Sequence, residues 1–300
     1  MPRDGLVLSI AAAAALGVNS LLLAIASRRV GTVLATAATL VLALLPIAAV
    51  AVGAGISFSA DRDSTLVLLL AGTLVAFSYL ATIESLRLGP VAITSTIASA
   101  TGAATVAAAF ILLGERPSAG QWVGIGVTAA GVVLASLRRA AGKARVDGLG
   151  PIFGVVGVVL GAIGNAIVRD PIRELGPLAA IITQRTFTIV ALALVVSILV
   201  WRRAAIASAF DPRQTTAHHW DVRLVGLLLA LGLVDAIAFI AFAYALLDAP
   251  AWLVGLVSQS GRALAVVGGV VLFHERPTGV QWTGIAVLGV GLVVLSVASP

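Results

Sequence analysis

The sequence predicts an all-α membrane protein of ten transmembrane helices built from two inverted five-helix repeats. Three observations carry that prediction. The 300-residue chain is 60% hydrophobic and only 11% charged, with a mean hydropathy of +1.12, whereas soluble domains carry about 25% charged residues. Its apolar residues fall in long runs, each near the ~20 needed to cross a bilayer. A stretch of the first half returns in the second, 160 positions later. Together these exclude a soluble enzyme, a secreted disulfide scaffold and a disordered chain. The absence of cysteine excludes disulfides, thiol catalysis and cysteine metal sites.

Apolar runs and the breakers between them place the spans at approximately 5–27, 30–52, 64–86, 90–113, 119–137, 150–168, 177–200, 224–246, 250–272 and 279–297. The first is too long for a signal-peptide core and has no convincing cleavage site, so it is kept as a span. Arg28-Arg29 ends it, and Asp61-Arg62-Asp63 precedes the third. Leu88-Gly89-Pro90 and Glu115-Arg116-Pro117 bracket the fourth. The basic segment Arg138 to Arg145 divides the halves. Arg169 to Pro177, the longer segment Trp201 to Arg223, Asp248-Ala249-Pro250 and Glu275-Arg276-Pro277 make the later breaks. In hydrocarbon each run must close its own backbone hydrogen bonds, which selects helices. The runs are twice strand length and do not alternate, which argues against a barrel.

The repeat is specific. Glu115-Arg-Pro-Ser-Ala-Gly-Gln121-Trp122-Val-Gly124-Ile returns as Glu275-Arg-Pro-Thr-Gly-Val-Gln281-Trp282-Thr-Gly284-Ile, and 114–136 matches 274–296 at 11 of 23 positions. The same step aligns Gly72 with Gly232 and Pro90 with Pro250. Near the start of each half, Leu16-Gly17 with Asn19 resembles Leu160-Gly161 with Asn165, at a step nearer 145. The expected units are residues 1–145 and 146–300, one integrated transmembrane domain. A unit with an odd number of spans inserts upside down on its second pass, which is the inverted-repeat architecture of secondary transporters. The alternative is duplication that merely built a larger bundle.

Each half closes with Glu-Arg-Pro, then Gln-Trp-x-Gly and a glycine-bearing final helix that includes Gly131 or Gly291. This pattern resembles the EamA-type repeat of the drug/metabolite transporter superfamily, and the resemblance covers essentially the whole chain. It implies ten spans in two inverted units and export or exchange of small metabolites such as amino acids, nucleotide sugars and organic phosphates. Two stretches depart from the pattern. Ser99-Ala-Thr101-Gly102 and Gln259-Ser-Gly261-Arg262 stand where the family commonly has a mid-helix proline. The second span also lacks the arginine often found there, while Arg185 occupies the matching region of the seventh.

Charge inside hydrocarbon marks function, because each such residue costs about 2.5–3.5 kcal/mol at mid-span on insertion scales. Asp235 and Arg262 fall near the centres of the eighth and ninth spans, Arg185 close to the centre of the seventh, and Glu84 late in the third. Asp235 with Arg262 reads as a structural pair or as the lining of a transport path. Arg185 lacks an obvious partner unless Glu84 or Asp235 reaches it. An unpaired central cation favours an anionic or zwitterionic substrate. Asn19, Asn165 and Gln259 add polar groups, as does Gln184; Tyr79, Tyr244 and Trp252 could line a pocket, with Ser99 and Ser258. The glycines at 154, 157, 161 and 164 make a small-residue ridge for close packing or a dimer seam. His218-His219 lacks metal-ligand spacing and reads as an interfacial loop.

The expectation is therefore a multi-pass inner-membrane carrier, an exporter or exchanger rather than an enzyme, that moves a small polar metabolite by alternating access. Its partners are the small-molecule substrate and the lipid bilayer, with protons as a candidate coupling ion, no nucleic acid and no cofactor, as a monomer or homodimer. Alternatives are a multidrug or cation exporter of the same fold, a non-transporting membrane scaffold, and a lipid-handling membrane protein. Five Arg lie on the face of the N-terminus and twelve Lys or Arg on the other. The positive-inside rule thus puts both termini outside the cytoplasm, whereas the resemblance implies both inside.

Overall fold

The computed structural model describes residues 3–56, 61–88, 97–136, 149–201, 221–261 and 278–298. All regular structure among them is helical. In chain order the helices are α1 (Arg3–Val30), α2 (Thr32–Gly53), α3 (Arg62–Leu88), α4 (Thr101–Leu112), α5 (Ala119–Ser136), α6 (Leu149–Ile167), α7 (Arg169–Leu175), α8 (Pro177–Trp201), α9 (Val222–Asp248), α10 (251–261) and α11 (Gly279–Ala298). Six segments are long and apolar enough to cross a membrane: Asp4–Val30, Thr32–Gly53, Arg62–Ser85, Leu149–Leu175, Pro177–Ile198 and Val222–Asp248. Shorter apolar helices cover 101–112, 119–134 and 279–295.

Eleven described helices of seven residues or more stand where ten spans are expected, the sixth span being broken; residues 97–99 add one further helical turn ahead of α4. Pro171 has no N–H to return to the carbonyl four residues back, and the chain steps out of regular helix at Val168 before continuing as α7. The segment Arg169 to Pro177, expected to be a connection, is therefore mostly helix. Leu149–Leu175 spans 27 residues, close to the 28 of α1. Each of these long elements ends at a glycine in the left-handed region, Gly31 at φ 83° and Gly176 at φ 85°, a conformation that side chains with a Cβ rarely adopt. Pro177 then starts α8, where its missing N–H costs nothing.

Local chemistry sets the other ends. Asp4 lies in the first turn of α1 and Arg28 and Arg29 in its last, which complements the helix dipole. The Asp61 carboxylate accepts from the Ser64 amide at 2.8 Å, and that bond holds its pKa below the ordinary carboxylate value. Asp221 caps α9 by accepting from Leu224 N at 2.8 Å. α5 and α11 each begin with a reciprocal capping box. Ser118 N donates to Gln121 Oε1 at 2.7 Å, and Thr278 N to Gln281 Oε1 at 2.9 Å.

The packing is made by small residues that let backbones approach. Gly131 lies on Leu288, Gly291 on Thr128 and Gly124 on Leu295, so α5 and α11 run antiparallel with facing residues that interchange when the halves are exchanged. α3 packs along α6 and α8, and α9 packs along α1 and α2, the same pairing with the halves exchanged. Gly72 of α3 meets α8, where an added Cβ would fall 2.8 Å from Phe187 Cβ. Gly232 of α9 meets α2, at 2.6 Å from Leu42 Cβ. The glycine ridge of α6 is taken up within the chain: Gly157 lies on Thr82, Gly161 on Ser78 and Gly164 on Val75. Side chains such as Leu45, Ile111, Leu194 and Val293 point outward, which suits lipid rather than water.

One face gathers several chain ends. The Glu115 carboxylate accepts from the Ala251 and Trp252 amides, each at 2.9 Å, at the start of α10. It also faces Arg169, with Nε to Oε1 at 3.3 Å. Arg173 Nε donates to the Leu246 carbonyl at 3.1 Å at the end of α9, and Ser64 donates to Glu174. The C-terminal end of the sixth span thus ties together the starts of α3 and α10 and the end of α9.

Candidate functional site

Three helices bring polar side chains to one buried point. α9 supplies Asp235 at mid-helix, α8 supplies Arg185 and α1 supplies Asn19; they are 4%, 2% and 6% exposed. α1 runs antiparallel to α9, because Gly5 meets Ala249 while Asn19 meets Asp235. That register fixes which residue of α1 faces the carboxylate. Asp235 Oδ2 stands 2.5 Å from Arg185 Nη2, and Asp235 Oδ1 accepts from Asn19 Nδ2 at 2.5 Å. The Phe239 ring, one helical turn from Asp235, lies under the guanidinium at 3.9 Å from Arg185 Cζ, a cation–π contact strengthened by the absence of water.

The ion pair does not exhaust the guanidinium. Arg185 Nε and Nη1 are buried and have no hydrogen-bond partner among the described residues. An unmet buried donor costs about 1–3 kcal/mol, more when charged. The arrangement can therefore accept a further anionic oxygen on Arg185 without first breaking a satisfied bond.

The charge is confined to one half. Leu42 and Phe187 are counterparts across the repeat, so the same step carries Arg185 onto Leu40, and the 160-residue step carries Asp235 onto Val75. Val75 packs on Gly164, with 2.9 Å between its Cγ2 and the position of an added Cβ. The corner equivalent to the charged cluster is apolar.

Of the other residues singled out in the sequence, Arg262 lies outside the described residues, as do His218, His219 and the second Glu-Arg-Pro segment. Among the described residues Asp235 pairs with Arg185; the expected pairing with Arg262 lies outside them. Gln184 is buried beside Arg185, and its carbonyl accepts from Thr188. Glu84 is half-buried on α3, which packs on α6 and α8. Asn165 and Tyr79 are half-buried, Tyr244 is 37% exposed, and Trp252 is buried in the apolar core; none of the four joins the charged cluster. Gln259 and Ser99 line a separate small cavity between α4, α5 and α10, with Ser260 and Leu256. Sequence reasoning missed Phe239, whose only signal is its spacing of four from Asp235, and the reach of Glu115 across 136 positions to α10.

A sequence profile described as the EamA-like transporter family matches residues 3–137 and again residues 148–297. No curated protein sequence matches the chain. A solved crystal structure is similar over 99% of this chain and 98% of that one, with a TM-score of 0.78 at 18% identity. At that identity the likeness speaks for the fold alone.

Proposed function

The chain belongs to the EamA-like transporter family, and from that premise we propose that it is a secondary transporter of a small polar metabolite, anionic or zwitterionic, working by alternating access. The observation that carries the substrate class is Arg185, whose Nε and Nη1 are buried without hydrogen-bond partners among the described residues. A carboxylate or phosphate supplies the planar or clustered oxygens that a guanidinium fork recognises. Asp235 gives a zwitterion's ammonium its counter-charge, and Asn19 orients that carboxylate.

The proposed architecture is ten spans in two inverted units, 1–145 and 146–300, in the inner membrane, with export or exchange as the direction. Support comes from the antiparallel α5 and α11, whose facing residues interchange with the halves, and from the exchange of α3–α6 and α3–α8 for α9–α1 and α9–α2. A broken sixth span accounts for the eleventh helix. Inverted repeats of this kind place the substrate near the midplane, where they meet; Asp235 stands at the middle of α9.

A thermal-shift screen of the purified protein against amino acids, carboxylates, organic phosphates and organic cations tests the reading, because a ligand stabilises the state that binds it. Anions or zwitterions should raise the melting temperature of the native protein and not of Arg185→Ala. Stabilisation by cations alone would overturn it.

A further inference from the structure

Among the described residues the resting cluster carries no net charge: one guanidinium, one carboxylate and one neutral amide. That balance constrains what binding can do. An anion that occupies Arg185 turns the buried site net negative for as long as Asp235 stays ionised. An uncompensated charge at this depth is costly even on the mildest scales. Forming an O–H bond at Asp235 removes it.

The groups around Asp235 make it the one to change charge. From α8 it faces Arg185. From α1 it faces Asn19. α2, also packed on α9, carries no titratable side chain, and neither does the described stretch of α10. Arg173 of α7 is bound to the Leu246 carbonyl at the far end of α9. Among the described residues no second carboxylate or histidine adjoins the cluster; Glu84 sits on α3, packed on α6 and α8. Asn19 suits both states of the acid. Its amide N–H donates to a carboxylate, and its amide oxygen can accept from a carboxyl O–H.

We propose that Asp235 takes up one proton when an anion binds Arg185 beside it, so that anion and proton cross together and leave together. The proton comes from the aqueous side that delivers the anion. On release at the opposite side the O–H bond breaks, and the carboxylate again balances Arg185. This inference rests on the reading of Arg185 as the anion-binding group.

The test uses the full-length protein in lipid nanodiscs, with formate, acetate and pyruvate as probes, all monoanions from about pH 6 to about pH 8. Proton uptake is read with a pH dye in weak buffer, and infrared difference spectra report a protonated carboxyl. About one proton should be taken up per anion, the carboxyl band should appear on loading, and affinity should fall about tenfold per pH unit at the alkaline end. Asp235→Asn should bind the anions with a flat pH profile and no band, and Asp235→Glu should restore uptake. Where the Asn variant does not fold, the band in the native protein decides. Anion binding that depends on Arg185 but takes up no proton would overturn the proposal and leave the anion site standing. Failure of all three probes to bind would remove the anion site itself, and the proposal with it.

Discussion

Removing one member of a buried ion pair strands the other in a medium that cannot solvate it. Arg185→Ala and Asp235→Ala should each lower unfolding stability by about 3–5 kcal/mol, and the double variant by much less than their sum. Denaturation of the purified variants in detergent checks this as a double-mutant cycle. Additive losses would mean that the two residues are stabilised separately. Gly72→Ala and Gly232→Ala test the small-residue seams, where the new Cβ meets backbone or Cβ atoms within 2.6–2.8 Å. Each should cost about 1–3 kcal/mol by overpacking. Asp235 and Arg185 were legible in the sequence because a charge within an apolar run announces itself. Their pairing was not, since it depends on the register of three helices from different parts of the chain. Phe239 was invisible for a related reason: one phenylalanine in an apolar helix looks like any other until a guanidinium is placed over it.

At the level of elements, the six long apolar helices were readable from apolar runs, and the doubling of the terminal helix from its motif. The serine or threonine three residues before Gln121 and Gln281 foreshadows the two capping boxes. α7 was not readable, because Arg169, Asp170, Pro171, Arg173 and Glu174 together have the composition of a connection. Arg169, Arg173 and Glu174 find partners on neighbouring elements, which hold the segment in place. Glu115→Ala removes the cap of α10 and should cost about 0.5–2 kcal/mol. Arg169→Ala, which deletes only a partly exposed ion pair, should cost about 0–1 kcal/mol. Comparative thermal unfolding separates the two. The chain contains no cysteine, so the double variant Ser64→Cys/Glu174→Cys can be oxidised without background. It should cross-link readily, and adding Pro171→Ala, which allows α6 and α7 to fuse, should slow that cross-linking.

For the whole molecule, charge distribution predicts the orientation. With five basic residues on one face and twelve on the other in the expected ten-span topology, a reporter fused after Pro300 that is active only in the cytoplasm should be silent. Activity would place the termini as the family resemblance implies. In a carrier built from two interlocked halves, the two access states arise when the halves trade conformations. Here that trade is not neutral, since one half offers Asp235 where the other offers Val75, and Arg185 where the other offers Leu40. On the proposed alternating-access mechanism, the inward and outward faces of the site are consequently different receptors. Net flux must still vanish when anion and proton are each at equal concentration on both sides and no voltage is applied, but the half-saturation concentrations measured from the two sides of a vesicle should differ. The molecule would then behave as a rectifier whose bias is written in three side chains.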